Sequence, residues 1–521
     1  MGSKRRSILV WLIPILLTIA LTSFLMVAGR LGDMLLLTGG PTSAIKGWLF
    51  VEDPRVAREV ILAVLEVLAA IFAISITVVA IIVQLAATRY TSRVVDLFLA
   101  DPLNAIIFFA YLVPLVHGFW LANTLTKGEN PAVSVGVFMI MATLSIILIA
   151  PYFKFVFHFL QPSHIIDRIE RSIETSLGEA AGGNEETARR RREVSNSIRQ
   201  LSDIALSSIA QSDIVLSMQC MQSLRQAGVY YLSVKKRLPS DWFEVERDHL
   251  VGLSHQLWRD TVAKGTWVEL EIFKQYEIAF TSSLRKVRDI NSYIARSVRE
   301  IAVEAQIQGE EESLALMIKG MNTFITHGLG ERDIRSTINV LYQYRLLGET
   351  FLQRPELLGK IASHLRYYAQ NSARRRIFFI VEVIAYDLRV LTEKAFGASM
   401  ETCEAVLAVL LDLIPEADPS ANQPFRHGLR KSQGLLAGFF IRHERLELVK
   451  RVFDAMAGEE REVLAAVRSE LLNAETREFW EIEDRGESFY FLEKEHRGQV
   501  DLFFAWLLGE TPLPSEIAQS A

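Results

Sequence analysis

Four stretches of the chain are almost unbroken apolar runs: Ser7 to Ala28, Val60 to Ala87, Ala105 to Leu125 and Ala132 to Leu160. Each meets the ~20 residues that a helix needs to cross a bilayer core. The pattern therefore predicts four transmembrane helices in residues 1–160. The first follows Lys4-Arg5-Arg6; its length and the lack of an A-x-A site near Val27-Ala28-Gly29 favour a retained anchor over a cleaved signal peptide. Pro14, Pro114 and Pro151 are expected at kinks or helix ends.

From Gln161 onward apolar positions recur at helical spacing among mixed charges. Val194, Ile198, Leu201 and Ala205 make one buried face, and Ile334, Ile338, Leu341 and Tyr344 another. Further helical runs span Leu357 to Asn371, Arg376 to Phe396, Glu401 to Leu413 and His427 to Met456. Few segments alternate as strands, so the fold class is all-α: a four-helix transmembrane bundle, then a large cytoplasmic helical bundle or irregular helical-hairpin domain over 161–509. No fixed repeat period is evident. Ile377 to Leu391 is short for a span and carries Glu382 and Asp387, so it reads as a buried soluble helix. Ala180 to Arg192 reads as a linker or loop leading into a solvated helix start, and the tail 510–521 as loose.

Basic residues set the expected orientation. Lys4, Arg5 and Arg6 precede the first span, Arg89 and Arg93 follow the second, and Lys154, Arg168 and Arg171 accompany the fourth. All three groups then lie on the cytoplasmic side, with both termini. Trp11, Trp48 and Trp120 suit either the interface or helix packing.

The second span carries the candidate site. On a helical wheel Ala70, Ala73, Thr77, Ala80, Gln84 and Thr88 fall within about 40° of Glu66. The remaining surface is mostly Leu, Ile, Val and Phe, with Ser75 opposite the stripe, and suits lipid. Two readings compete for Glu66, Thr77, Gln84 and Thr88. Small and polar residues suit a helix-packing seam; an ionisable group within a span also suits a hydrated path through a bundle or oligomer. Arg89 and Arg93 mark the membrane interface, followed by an amphipathic connector ending near Pro102. His117, in the third span, is expected to be hydrogen-bonded to a neighbour rather than to carry protons.

Composition narrows the function further. The chain has 521 residues, half of them apolar, and a formal net charge of -5, which gives no global case for nucleic acid. Cys220 and Cys403 lie far apart without a ligand pattern, so neither a disulfide framework nor a thiolate metal site is expected. There is no phosphate loop, H-E-x-x-H or nucleophile elbow, and His443-Glu444 lacks a second histidine. No enzyme activity, metal or cofactor is therefore expected.

Ser75 to Pro102, SITVVAIIVQLAATRYTSRVVDLFLADP, resembles the hallmark segment of domain-of-unknown-function family 2254, uncharacterised membrane proteins mainly of bacteria. Ile198 to Leu224 is similar to that family's cytoplasmic segment. Members often carry proline before the position of Arg93, and Asn-Asp-Pro where this chain has Ser212-Asp213-Ile214. The resemblance implies a bacterial inner-membrane protein and supplies no activity. Together the readings predict a homo-oligomer in the lipid bilayer that forms an ion channel or transport pore with a cytoplasmic regulatory domain. The different-class alternative is a membrane-anchored scaffold or sensor for cytoplasmic protein partners.

Overall fold

The computed structural model describes residues 18–34, 53–89, 101–125, 131–159, 161–178, 184–247, 252–413, 423–474, 476–477 and 488–518. These are helical throughout, with no strand among them. The chain divides into two compact units, Met1–Arg168 and Ile169–Ala521.

The first unit contains α1 (18–34), α2 (Pro54–Arg89), α3 (Pro102–Leu125) and α4 (Ala132–Phe159). Asp-Pro pairs start two of them. Asp53 Oδ1 accepts from the Arg55 amide at 2.8 Å and Asp101 Oδ1 from the Leu103 amide at 3.0 Å, while Pro54 and Pro102 take the first helical position, where no amide is needed. Helices α2, α3 and α4 pack on one another around Ile61, Leu68, Tyr111 and Phe138. Phe72 stacks on Tyr111 at 5.2 Å between centroids.

Among the described residues three helices, rather than the expected four, are long and apolar enough to cross a membrane: Pro54–Leu85, Leu103–Leu125 and Ala132–His158. The expected first span falls partly outside the described residues; its described part belongs to α1, which packs Gly29 and Gly32 against Ser134 and Val133 of α4. Pro14, Trp11 and Trp48 also lie outside the described residues. Pro114 and Pro151 sit inside unbroken helices, not at ends. Pro114 cannot donate to the Ala110 carbonyl, and Ser145 Oγ of α4 supplies the missing donor at 2.6 Å.

The second unit is a double row of stacked helical hairpins. One row runs α6 (Asn184–Ala210), α9 (Trp267–Ser283), α11 (Glu311–Gly330), α13 (Pro355–Arg374) and α15 (Met400–Leu411). The other runs α7 (Ile214–Val234), α10 (Arg288–Gln308), α12 (Ile334–Gly348), α14 (Phe378–Phe396), α16 (Gln423–Arg442) and α19 (Arg497–Leu507). The part of α5 (Pro162–Gly178) from Ile169 onward and short α8 (His255–Ala263), α17 (Leu446–Met456) and α18 (Arg461–Leu472) complete it.

The hairpins beginning at Trp267, Glu311, Pro355 and Met400 are 44 to 45 residues apart. This regular step replaces the irregular stacking expected from the sequence. The same turn joins several pairs: the Asp213 amide donates to Ser208 O, the Asp333 amide to Gly328 O and the Ile377 amide to Ser372 O, each at 2.9 Å. Each bond closes a left-handed residue, Ser212, Arg332 or Arg376, with φ of 59°, 52° and 58°.

Several local expectations change. Val194, Ile198, Leu201 and Ala205 are buried, but Ile334 is exposed because it opens α12 beside the turn. The run His427 to Met456 is two helices, broken where Glu444 takes φ 57°. Arg189 to Arg192 belong to α6; Arg190 pairs with Glu186 at 2.7 Å and Arg191 donates to Asp241 O at 2.7 Å. Ile377 to Leu391 is a buried helix in the second unit, with Asp387 paired to Arg345 at 3.2 Å. In the tail, Ser515–Ala518 is a helical turn whose Ile517 is buried and which packs on α17.

Candidate functional site

Helix α2 is a single element of 36 residues, about 54 Å at 1.5 Å per residue. That exceeds the ~30 Å thickness of a hydrocarbon core. Glu66 stands three turns inside it, deeper than a span starting at Val60 suggested. Glu66 and Gln84 are separated by 18 residues, or ~27 Å along the axis.

The inward face of α2 consists of Ala57, Ile61, Leu68, Ser75, Val79 and Val83. Val64, Leu65, Ile71 and Phe72 pack against it. This large-residue face, with Ser75, is the packing seam rather than the lipid face expected from the sequence. Ser75 is accommodated there because its hydroxyl donates to Ile71 O at 2.7 Å within the same helix.

The small and polar stripe lies on the opposite side. Glu66, Ala70, Ala73, Thr77, Ala80 and Gln84 are all exposed on the unit. Thr77 Oγ1 donates to Ala73 O at 2.8 Å and so needs no outside partner. Glu66 and Gln84 form no side-chain hydrogen bond with other described residues. Thr88 and Arg89 lie in the last turn of α2, their side chains outside the described set, and Arg93 lies outside the described residues.

His117 is buried in α3 with its ring beside the Ser134 backbone, the neighbouring polar group it faces. Next to it, Gly118 is the point of closest approach: a Cβ there would stand 2.4 Å from the Phe138 ring and 2.8 Å from Leu65. Asp33 accepts from the Val133 amide at 2.8 Å, capping the start of α4 from α1.

In the second unit the chemistry concentrates in a buried charge cluster that the sequence did not disclose. Lys235 Nζ lies 2.7 Å from Glu269 Oε1, 3.1 Å from Glu310 Oε2 and 2.9 Å from Ser313 Oγ. Ser313 in turn donates to Glu269 at 2.6 Å. Burial, then the Glu269 carboxylate, push the Tyr231 phenol beside it well above its usual range. The visible signal was Trp267-Val-Glu-Leu-Glu-Ile-Phe, an otherwise apolar helix start in which Glu269 and Glu271 are both buried. Glu271 pairs with Arg199 at 2.7 Å. No group of three or more His, Cys, Asp or Glu that could hold a metal occurs among the described residues. Cys220 and Cys403 are free and buried; burial raises the Cys403 thiol to about 11 and that of Cys220 further.

Ser212-Asp213-Ile214 also acquires a structural meaning. Ser212 takes the left-handed position, Asp213 caps α7 by accepting from the Leu216 amide at 3.1 Å, and Ile214 opens the helix. These three residues thus form a turn and a helix cap.

The fold is thus that of an all-helical protein with candidate membrane spans. Residues 9–203 match the family described as "Predicted membrane protein (DUF2254)". The match contains all of Ser75 to Pro102 and ends six residues into Ile198 to Leu224. No curated protein matches the chain. Among solved structures, a "Circular tandem repeat protein with novel repeat topology and enhanced subunit contact surfaces" aligns over 95% of this chain and 96% of its own, at 14% identity and a TM-score of 0.33. A score of that size does not establish a shared fold.

Proposed function

We propose that the chain is an oligomeric protein of the bacterial inner membrane, in which α2 helices from several copies meet along their small and polar stripes and line an ion-conducting path. The solenoid lies on the cytoplasmic side and organises or gates that path. The observation carrying this reading is the outward placement of Glu66, Thr77 and Gln84, opposite the seam that holds the unit together. Polar side chains within a span belong against protein or water rather than lipid. The alanines between them allow close approach of a second helix. Glu66 and Gln84, ~27 Å apart, would form polar rings near the two mouths of the path.

Protein reconstituted in liposomes is expected to pass ions, with the flux altered by Glu66→Gln and Gln84→Leu. Ala73→Cys is expected to cross-link copies of the chain, since the native thiols are buried. Intact oligomer with no flux across a broad panel of ions would leave the stripe as a contact surface. The function would then be that of a membrane-anchored scaffold, which the stacked hairpins of the second unit also suit.

A further inference from the structure

Because the hairpins stack in parallel, the turns that join their two rows fall along one edge of the solenoid. Three successive tips are tied side by side. The Arg285 amide donates to Asp333 at 3.0 Å, Arg288 lies 3.6 Å from Asp333, Arg335 lies 3.7 Å from Asp289, and Arg375 donates to Leu329 O at 3.2 Å.

This edge is rich in exposed basic residues. Arg285, Lys286 and Arg288 occupy one tip, Arg332 and Arg335 the next, and Arg374, Arg375 and Arg376 the third. Lys286, Arg332, Arg374 and Arg376 have no acidic partner within ion-pair distance among the described residues. Arg285, Arg332 and Arg376 hold the left-handed backbone position, with φ of 62°, 52° and 58°. Glycine or asparagine fits that conformation more readily, so the folding of these turns does not itself call for arginine.

Apolar side chains stand along the same edge: Ile334 and Phe379 are exposed beside two of these tips, and Val215, 71% exposed, stands with Ile214 at the preceding turn, which holds Ser212. At the opposite edge the charges are paired instead: Glu310 with Lys235, Glu311 with Arg354, Glu312 with Lys264, and Glu349 with Arg345 and Lys394. One edge of the solenoid is therefore basic with apolar points, whereas the other balances its charges in ion pairs.

We propose that the basic edge docks on a bilayer surface containing anionic phospholipid. Charge complementarity selects headgroup phosphates, and Val215, Ile334 and Phe379 fit the boundary between headgroup and acyl chain, where a nucleic-acid backbone would leave them unused. The membrane is also the partner at hand for a chain with spans of its own.

The test uses the full chain in nanodiscs, with an environment-sensitive dye on Val215→Cys; Cys220 and Cys403 are buried, which directs labelling to the tip. The dye is read in phosphatidylcholine discs, in discs that also contain phosphatidylglycerol, and in phosphatidylcholine discs given separate phosphatidylglycerol vesicles. Lipid contact is expected in at least one anionic arrangement and not in neutral discs alone. It should be reversed by salt, since the Debye length falls to ~3 Å at 1 M.

The combined variant Lys286→Gln, Arg332→Gln, Arg374→Gln and Arg376→Gln is expected to weaken vesicle binding about a hundredfold, at roughly fivefold or less per charge. Glu311→Gln with Glu312→Gln, on the other edge, should leave binding unchanged. No response in any anionic arrangement, or wild-type binding by the folded fourfold variant, overturns the proposal. Tighter binding of a single-stranded RNA, unaffected by Val215→Ser with Phe379→Ser, overturns it in favour of nucleic acid. Salt titration of the unsubstituted edge keeps the test decisive if the fourfold variant does not fold.

Discussion

The two units keep polar groups in opposite ways. In the first, apart from His117, the described buried polar side chains are small hydroxyls, among them Ser75, which returns to the Ile71 carbonyl, and Ser145, which returns to those of Ala110 and Met141. In the second, full charges are buried and paired between helices: Lys235 with Glu269, Arg345 with Asp387 and Arg430 with Glu459. Lipid offers no hydrogen bonds, so a spanning unit satisfies its polar groups within or beside the backbone ladder. The stacked hairpins instead bury ion pairs between helices, at a desolvation cost, and these pairs fix which helix faces which.

The sharpest way to break this comparison is at Lys235. Lys235→Met leaves Glu269 and Glu310 facing each other without their cation and is expected to cost about 3–5 kcal/mol. Chemical denaturation followed by circular dichroism measures it. Lys235→Met with Glu269→Leu should recover most of the loss, because the orphaned buried charge is the main penalty; no recovery would mean that the pair sets the helix register itself.

A smaller effect is expected in the first unit. Gly118→Leu forces a side chain into Phe138 and Leu65, an overpacking worth about 1–3 kcal/mol. Hydrogen exchange should rise in α2 to α4 while α9 to α14 keep their protection. Faster exchange in both sets would show that the two units do not unfold independently.

The smallest effect is a pH dependence confined to the solenoid. Burial raises the Glu382 carboxyl above its ordinary range, and Tyr490 donates to it at 2.9 Å. The folded state then holds that proton more tightly than the unfolded chain. This contribution is greatest below the usual carboxylate range and declines as pH rises through the elevated folded value. Glu382→Gln should flatten that decline, seen as a thermal midpoint that falls less between acidic and neutral pH. An unchanged profile would assign the dependence to other groups.

Much of the helix content was legible because apolar run length and period 3.6 are strong signals. The runs at 60–87, 105–125 and 132–160 appear as Pro54–Arg89, Pro102–Leu125 and Ala132–Phe159. The inward face of α2 was not legible, because in lipid both faces are apolar and hydrophobicity cannot tell them apart. Packing fixed it: Ile61, Leu68 and Val79 fill the space against α3 and α4, while Ala70, Ala73 and Ala80 stay outside together with Val67, Ile74 and Ile81. The repeat was hidden for a different reason. Its left-handed turn positions hold Ser212, Arg332, Arg376 and Glu444 in place of glycine, so the usual punctuation between helices is missing. The Lys235 cluster unites residues up to 78 positions apart, a distance that no local pattern reports.

The stacked hairpins have a mechanical consequence. Each contacts chiefly the hairpins before and after it, so the row lacks the cross-braces that make a globular core stiff. Small rotations at successive joints add along the row, and a displacement at one end is shared among many contacts instead of concentrated at one. The second unit is built as a compliant spring, able to change its curvature while every helix stays folded.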